Sequence, residues 1–232
     1  MRIFFKIIMT SITIFCAYNP LVYGQTNALF NSAEFRSTEL SAFKKWAGLR
    51  ARQESDQNYE KTARLTGVTK PCRRTKNFQC AIDEWSKTIE SIRNKSSSLQ
   101  MKTVNAHLSK ARYITDMVNW QQKDYWATIR QFFNKDGDCE DYAIMKYFTL
   151  KFLGFNDNNM RLVSVVDTIR GIGHSVLAVN TNAGVYVLDS LSNGLFRDVK
   201  YAHYVPKYSV NQSGRWIHAR SQPISVSYVA QR

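Results

Sequence analysis

The chain has 232 residues, of which 44% are hydrophobic and 22% charged, and its formal net charge at pH 7 is +14. These proportions are typical of a soluble globular protein, and no segment beyond the first residues is long or apolar enough to span a membrane. No glycine-rich phosphate loop follows a predicted strand, and the basic charge alone favours an acidic partner, a membrane surface or nucleic acid without choosing among them.

The first residues are predicted to be a cleaved export signal. Arg2 and Lys6 give a positive start, the apolar run IIMTSITIFCAY follows, and small or neutral residues surround a cleavage point after Gly24. A membrane anchor is the alternative, but the run is short for a span of about 20 residues. Removing residues 1–24 takes two positive charges from +14 and leaves +12. Export argues against nucleic acid as the partner of this basic chain.

The exported chain keeps three cysteines, Cys72, Cys80 and Cys139. In an oxidising compartment an odd number predicts one disulfide and one free thiol. Cys72 and Cys80 flank a short polar loop, so we expect them to pair, with two reduced thiols as the alternative. In either case Cys139 is expected to be a free thiol.

Residues 25–120 are predicted to be mainly helical. Apolar residues recur at helical spacing over residues 32–58, 78–93 and 97–120. The aromatic-rich segment over residues 119–138 is predicted to be a loop that leads into the next helix.

That next helix is predicted to be central and buried, and to begin at or near Cys139. In CEDYAIMKYFTLKFLGF one face carries Cys139, Ala143, Tyr147 and Leu150, and the adjacent face is apolar as well. A helix that is apolar around most of its circumference is usually a buried one. Glycine is common just past the C-terminus of a helix, and Gly154 is expected to end this one.

Beyond this helix the periodicity changes to two. RLVSVVD, IGHSVLAVN and GVYVLDS are short, apolar and separated by turn residues, which indicates strands, and GRWIHAR and ISVSYV would add one or two more. Helices followed by an antiparallel sheet make an α+β architecture. We expect residues 25–232 to form a single domain in which residues 121–232 carry the central helix and the sheet.

Three residues form the set that nucleophilic catalysis requires. In GHSVLAVNTNAGVYVLDS, a loop with an even number of residues places His174 and Asp189 on one face of the sheet, because side chains alternate. A two-residue loop at Thr181-Asn182 puts them directly opposite, and a four-residue loop over residues 181–184 puts them on a diagonal within hydrogen-bond reach. Cys139 would supply the thiol, His174 the base and Asp189 the orienting group. Taken singly, each also fits an ordinary structural role.

The surroundings of Cys139 are unusual for a reactive thiol, because NKDGDCEDY places it among carboxylates. Negative neighbours raise the pKa of a thiol and disfavour the thiolate. Helix capping accounts for Asp138 at the N-cap and for Glu140 and Asp141 in the first turn. An EF-hand is excluded, because Asp141 stands where that loop needs glycine.

These segments together resemble a known family. GDCEDYAIMKYFTLKFLGF, with DYWAT upstream and GHSVLAV…YVLDS downstream, is similar to the bacterial transglutaminase-like cysteine proteinases of the LapG type, over about residues 30–230. The resemblance implies a transglutaminase/papain-like cysteine protease fold and a triad of Cys139, His174 and Asp189. One departure is visible, since the family has Pro-x-Glu after WAT where this chain has Ile129-Arg130-Gln131.

The resemblance also implies a metal, a substrate and a regulator. Members bind calcium through acidic residues beside the cysteine, which here are Asp138, Glu140 and Asp141, with Asp136 as a further candidate. They are periplasmic endopeptidases that cut the N-terminal region of a large cell-surface adhesin at small residues and so promote biofilm dispersal. An inner-membrane receptor for cyclic di-GMP controls them. Bound Ca²⁺ would remove the repulsion between the carboxylates and the thiolate, so we expect the cluster to act as a cation-dependent switch.

Two other functions stay open at this point. A transglutaminase-like acyltransferase would transfer the acyl group to an amine, and a non-catalytic, calcium-stabilised binding module would use Cys139 only as a small buried side chain. Trp120, Tyr125 and Trp126 are a candidate partner or substrate surface, with core packing as the alternative reading of these aromatic residues.

Overall fold

The computed structural model describes the backbone of residues 28–65 and 78–220. Three predictions fall outside the described backbone and side chains: the export signal over residues 1–24, the pairing of Cys72 with Cys80, and the strand in ISVSYV. Within the described ranges, no helix combines the length and the apolar character needed to cross a membrane.

Most of the helices precede most of the strands. In chain order the helices are α1 Lys44–Leu65, α2 Phe78–Ile92, α3 Ser97–Leu108, α4 Asp116–Trp120, α5 Ile129–Lys135 and α6 Cys139–Phe152. The predictions of α2 and α6 are confirmed to within a residue or two. Gly154 follows α6 with a φ of +92°, a backbone conformation that glycine adopts without strain.

The strands of the described residues form one antiparallel sheet. They are β1 Ser32–Ser37, β2 Met160–Asp167, β3 Ile172–Thr181, β4 Gly184–Leu188, β5 Phe196–Arg197, β6 Tyr204–Val210 and β7 Arg215–Arg220. Their order across the sheet is β1-β7-β6-β2-β3-β4-β5. Helices packed on an antiparallel sheet confirm the predicted α+β class.

Helix α6 lies at the centre of the fold, against β3 and β2 on one side and against α3 and α5 on the others. Its side chains from Asp141 to Leu150 are all buried, as the apolar pattern predicts. Trp46 of α1 stacks on Phe148 with the ring centroids 6.3 Å apart and meets Tyr147 edge-on at 5.6 Å. Each such buried side chain contributes about 1.5–3 kcal/mol, so packing fixes α6 and the cysteine at its N-terminus.

The prediction of one helix over residues 32–58 is wrong at its beginning. Ser32–Ser37 form β1, which pairs antiparallel with β7, and α1 starts only at Lys44. Pairing with the edge of the sheet outweighs the helical spacing of Phe35, because tertiary context overrides a local pattern.

The predicted helix over residues 97–120 divides into α3 and α4. Between them, the Ile114 N–H donates to the Gly137 carbonyl at 2.9 Å, and Tyr113 and Gly137 form an isolated β-bridge. These backbone groups bond to the loop before α6 instead of continuing a helix. The bridge brings α4 next to the N-terminus of α6.

The loop predicted over residues 119–138 contains a further helix, α5. Its start is a capping box in which the Gln131 N–H donates to Thr128 Oγ1 at 3.3 Å and the Thr128 N–H donates to Gln131 Oε1 at 2.9 Å. Thr-x-x-Gln is a recognised signal for a helix N-terminus. The loop prediction was based on the many aromatic residues of this segment and did not use that signal.

Candidate active site

Cys139 is the first residue of α6, where that helix meets β3. Its exposed fraction is 8%, and the Sγ–H donates to Glu140 Oε2 at 2.8 Å. Asp138 occupies the N-cap position before it, as predicted from the sequence. The helix N-terminus favours a thiolate, but the adjacent carboxylates act against it.

The pKa of the Cys139 thiol is raised well above its ordinary value. Burial is the largest cause, followed by the charge of Glu140 and the hydrogen bond to it, and then by the charge of Asp138, while a backbone hydrogen bond from Ser175 acts in the opposite direction. The thiolate is the nucleophilic form. The thiol therefore needs a compensating positive charge before it can react at neutral pH.

His174 on β3 and Asp189 just after β4 are diagonal neighbours on one face of the sheet. Leu177 pairs with Leu188, which is the diagonal one of the two registers considered above. The imidazole Nε2 and Asp189 Oδ1 lie 2.8 Å apart, and both side chains are buried.

Asp189 is held ionised in this buried position. Burial raises its pKa, but the hydrogen bond and charge of His174, the N–H of Leu191 and the hydroxyl of Tyr204 together leave that pKa below the ordinary value. The Leu191 N–H donates to Oδ1 at 2.9 Å and the Tyr204 hydroxyl to Oδ2 at 2.7 Å. An ionised Asp189 accepts the Nε2–H of His174, which leaves Nδ1 as the nitrogen that can take a proton.

The backbone of β3 joins the two halves of the site. The N–H of Ser175, the residue after His174, bonds to the Cys139 sulfur, so the thiol lies beside the strand that carries the imidazole. Among the described contacts the thiol donates to Glu140 rather than to His174. Catalytic hydrogen bonds are often incomplete before a site is fully assembled.

A cluster of carboxylates surrounds the start of α6. One oxygen each from Asp116, Asp138 and Asp141 lies within 4.8 Å of the others, and Asp138 and Glu140 form a second such group with the Cys139 sulfur. Sequence reasoning missed Asp116, because it lies on α4, far from the cysteine in the chain. The Tyr113–Gly137 bridge that brings α4 to this place leaves no local signal in the sequence.

Asp141 is the most deeply placed member of the cluster. It has no exposed surface, and its Oδ1 accepts the Ala127 N–H at 2.7 Å. Burial raises its pKa to about 8. A Cβ at residue 137 would come within 2.2 Å of Asp141 Oδ2, so Gly137 is required for the loop to pass over this carboxylate.

The cluster fits a bound cation. Asp116 Oδ1 and Asp138 Oδ1 are buried and have no hydrogen-bond partner among the described residues. The pKa of Asp138 is raised to about 9, by burial first and then by the charges of Glu140 and Asp141. Uncompensated buried carboxylates are unfavourable, and hard carboxylate oxygens are the ligands that Ca²⁺ prefers.

Asp136, the further candidate ligand, lies outside these groups. Its Oδ2 accepts from Arg112 Nε at 2.8 Å in an ion pair, so the structure gives this carboxylate a different partner. The predicted ligands Asp138, Glu140 and Asp141 are brought together with Asp116 instead.

The three aromatic residues of the candidate surface, Trp120, Tyr125 and Trp126, differ in how deeply they are buried. Trp126 is 5% exposed and belongs to the core. Trp120 and Tyr125 are partly buried with ring centroids 4.6 Å apart, and each ring carries a cation over it, from Lys135 and Arg52 respectively. Core packing, the alternative reading, describes Trp126.

Comparisons with known proteins identify the family of the chain. Residues 58–223 match the family model described as bacterial transglutaminase-like cysteine proteinase, BTLCP. The chain belongs to the bacterial transglutaminase-like cysteine proteinases. No curated protein matches it.

Solved structures of Legionella pneumophila LapG, each 27% identical to this member of the family, are similar to it. One has a TM-score of 0.58 and covers 68% of this chain and 86% of its own. The calcium-bound form has a TM-score of 0.59, with 72% and 91% covered, and the EGTA-treated form has a TM-score of 0.59, with 71% and 87% covered.

The departure of this transglutaminase-like proteinase from the Pro-x-Glu pattern has a structural reading. Ile129 is buried, and its N–H donates to Gln53 Oε1 at 2.9 Å, a bond that proline cannot make. Gln131 fills the glutamate position and closes the capping box of α5. The replacements therefore keep the start of α5.

Proposed function

We propose that this protein is a calcium-dependent cysteine endopeptidase with Cys139 as nucleophile, His174 as base and Asp189 as orienting group. The observation that carries the proposal is the 2.8 Å hydrogen bond between His174 Nε2 and Asp189 Oδ1, on the strand whose Ser175 N–H bonds to the Cys139 sulfur. Membership of a cysteine proteinase family supports the same chemistry.

The reaction follows from this arrangement. His174 Nδ1 takes the proton from Cys139, while Asp189 holds the imidazole in the required tautomer. The thiolate attacks the carbonyl carbon of the scissile peptide bond, and His174 returns the proton to the leaving amine. In this proposal the backbone N–H of Cys139, at the start of α6, stabilises the oxyanion. Water then releases the acyl group from Cys139.

Calcium, in this proposal, sets the state of the thiol. Asp116, Asp138 and Asp141 would hold the ion together with Glu140, and the ion would supply positive charge beside Cys139. With its carboxylate bound to the ion, Glu140 would no longer accept the hydrogen bond from the thiol. The pKa of Cys139 would then fall, and the thiol would be free to donate its proton to His174. A calcium-bound form is known for the similar LapG of Legionella pneumophila.

The proposed substrate is the N-terminal region of a large surface adhesin, cut at small residues. A cavity of about 10 Å³ is lined by Glu140, Ala143, Ile144 and Ser175 among others, which is close to the room that a single water molecule needs. We place the enzyme in the periplasm, under the control of an inner-membrane receptor for cyclic di-GMP, and its activity in biofilm dispersal.

The test is cleavage of an adhesin N-terminal fragment by purified residues 25–232, with Ca²⁺ and with excess EGTA. We expect two products with Ca²⁺, none with EGTA and none with a Cys139→Ala variant under either condition. If the Cys139→Ala variant still cleaved the fragment, the assignment of Cys139 as the nucleophile would be wrong. Incorporation of a labelled amine into the fragment without new termini would identify an acyltransferase instead.

A further inference from the structure

The strands β1 and β7 present apolar side chains to the solvent on one face of the sheet. Phe35 and Ile217 lie directly opposite each other and are 43% and 59% exposed. The neighbouring pair on this face, Ala33 with Ala219, is at least partly exposed as well. His218, on the other face of β7, is buried although it is polar. An antiparallel sheet usually buries its apolar face, so this reversal marks the exposed face as a candidate binding surface.

Stabilisation of the sheet alone does not explain the pair of Phe35 and Ile217. An aromatic side chain opposite a β-branched one stabilises the pairing of two strands, but two threonines do so as well without exposing a large apolar surface. The strand β1 also lies at the edge of the described sheet, where proteins usually place charged residues or proline to prevent association. We therefore expect this apolar pair to have a binding partner.

The exposed pair is continuous with the candidate active site. From β3 through β2, β6 and β7 to β1, one residue of each strand lies directly opposite a residue of the next. Side chains that lie directly opposite share one face of a sheet, so these residues form a row across it. The cross-sheet row consists of Ser175, Ser164, Tyr208, Ile217 and Phe35.

One end of the cross-sheet row adjoins the thiol. Ser175, Ser164 and Tyr208 line one cavity together with Glu140. Glu140 Oε2 accepts the hydrogen bond of Cys139 Sγ at 2.8 Å, so the cavity and the nucleophile share this carboxylate. A polypeptide whose carbonyl carbon lies at Cys139 can therefore continue along the row toward the edge of the sheet.

The length of the row indicates what kind of molecule fits it. Its two ends are four strand spacings apart, and at about 4.8 Å each these add up to about 19 Å. An extended polypeptide rises about 3.3 Å per residue and covers this distance with about six residues. The row contains no charged residue and ends in Ile217 and Phe35. It fits an extended segment with an apolar side chain about six residues from the bond that is cut.

We propose that the cross-sheet row is the floor of a substrate groove, in which Phe35 and Ile217 bind an apolar side chain of the adhesin about six residues from the cut bond. The inference rests on the proposed function, because its occupant is the proposed substrate. Small residues at the cut bury little apolar area and contribute little to binding. The exposed pair supplies the affinity that the cut site lacks.

The variants are Phe35→Thr and Ile217→Thr, because threonine is β-branched and keeps the strand propensity. Phe196→Thr is the matched control, since Phe196 is 47% exposed and lies on β5, at the opposite edge of the described sheet. In Ca²⁺ we would measure kcat and KM on the adhesin fragment and on a peptide that ends four residues from the cut on either side. Such a peptide reaches about 13 Å from the cut and stops short of Phe35.

Two further measurements accompany the kinetics. Isothermal titration calorimetry gives the dissociation constant of the adhesin fragment from the Cys139→Ala form of each protein, which cannot cut it. Scanning calorimetry gives the thermal midpoint of each variant.

We expect KM for the adhesin fragment to rise about tenfold in Phe35→Thr and in Ile217→Thr with kcat little changed, because contacts far from the cut bind substrate and transition state alike. The dissociation constant should rise by the same factor. The short peptide should be cleaved as by the wild type. Phe196→Thr should behave like the wild type on both substrates, and no variant should change the thermal midpoint, because the replaced residues are exposed.

An unchanged KM for the fragment, or an equal rise with Phe196→Thr, would overturn the proposal. A lower thermal midpoint in Phe35→Thr and Ile217→Thr would overturn it as well, because the pair would then be covered by the chain itself. If these variants instead lost binding to the periplasmic domain of the receptor while cleaving the fragment normally, the surface would belong to the receptor.

The proposed function can fail separately from this inference. If the wild type cleaved neither substrate while the Cys139→Ala chain still bound the fragment through Phe35, only the assignment of proteolysis would be wrong. If the chain neither bound nor cleaved the fragment, both proposals would be wrong.

Discussion

Glu140 and Asp189 accept hydrogen bonds of equal length, 2.8 Å, from Cys139 and His174 respectively. In the proposed reaction the two bonds have opposite consequences. The bond to Asp189 would prepare the imidazole as a base, whereas the bond to Glu140 would keep the thiol protonated. We propose that the acidic cluster restrains the thiol until a cation binds to it, which would account for a thiol placed among carboxylates.

Replacing Asp116 by asparagine should weaken calcium binding. The change removes one negative charge and a carboxylate whose Oδ1 is buried without a partner, so we expect the dissociation constant to rise by about tenfold or more, or about 1.4 kcal/mol. Isothermal titration calorimetry measures it.

Asp136→Asn is the matched control for this prediction. Asp136 pairs with Arg112, outside the carboxylate groups around Cys139, so this variant should bind calcium as the wild type does. If Asp136→Asn weakened binding and Asp116→Asn did not, the assignment of the ligands would be wrong.

Part of the site could be predicted from residue patterns alone. Asp138, Glu140 and Asp141 are visible because they adjoin the cysteine in the sequence. The diagonal of His174 and Asp189 follows from the alternation of side chains in a hairpin. Asp116 could not be found this way, because its place depends on a backbone bridge between Tyr113 and Gly137 that no side-chain pattern records.

At the scale of elements, a buried histidine of β7 connects β1 to the sheet by hydrogen bonds. His218 Nδ1 and Nε2 bond to Ser32 Oγ and Ser209 Oγ, each at 2.8 Å, and Glu34 beside it pairs with Arg161 at 2.8 Å. Burial lowers the pKa of His218 to about 4 from 6.5, with the charge of Glu34 acting in the opposite direction.

Because the pKa of His218 is lowered in the folded protein, we expect the protein to lose stability in acid. Between pH 6.5 and about 4 the unfolded chain binds a proton at His218 that the folded chain does not, so the free energy of unfolding falls as the pH falls through this window. The contribution is present in full above pH 6.5, and its loss is at most about 3 kcal/mol.

Urea denaturation of the wild type and of His218→Asn across this pH range tests the prediction. Contributions from other titratable groups cancel in the difference between the two proteins. The difference should shrink as the pH falls, because the variant lacks the buried imidazole. Two parallel curves would show that His218 does not cause the acid sensitivity.

The elements themselves were predictable where one signal dominated. Helix α6 is apolar around its circumference and ends at a glycine, so both its burial and its bounds could be read. The strand β1 could not, because only its pairing with β7 makes it a strand. Strand β6 contains Pro206, at the point where the register with β2 shifts, and proline argues against a strand in a sequence reading.

At the scale of the molecule, the acidic cluster joins α4, the loop before α6, and α6 itself, so a bound cation should stabilise the whole fold. At a calcium concentration 100 times the dissociation constant, binding to the folded state adds about 2.7 kcal/mol. For a chain of this size that is a rise in the thermal midpoint of about 5–10 °C.

Differential scanning calorimetry with Ca²⁺, with EGTA and with Mg²⁺ measures this effect. Mg²⁺ is the control, because it requires tighter octahedral geometry and retains its waters. Equal midpoints with Ca²⁺ and with EGTA would mean that the cluster does not hold the ion, and an equal rise with Mg²⁺ would mean that the site does not select calcium.

In the proposed function, a cation at the carboxylates converts Cys139 from a restrained thiol into a nucleophile. The rate of Cys139 alkylation by iodoacetamide as a function of pH, for the wild-type chain in Ca²⁺ and in EGTA, tests this conversion. We predict that the profile in EGTA lies at higher pH, with a rate at pH 7 at least about tenfold lower, one pKa unit. Coincident profiles would contradict the claim, because the carboxylates would then be helix caps with no control over the thiol.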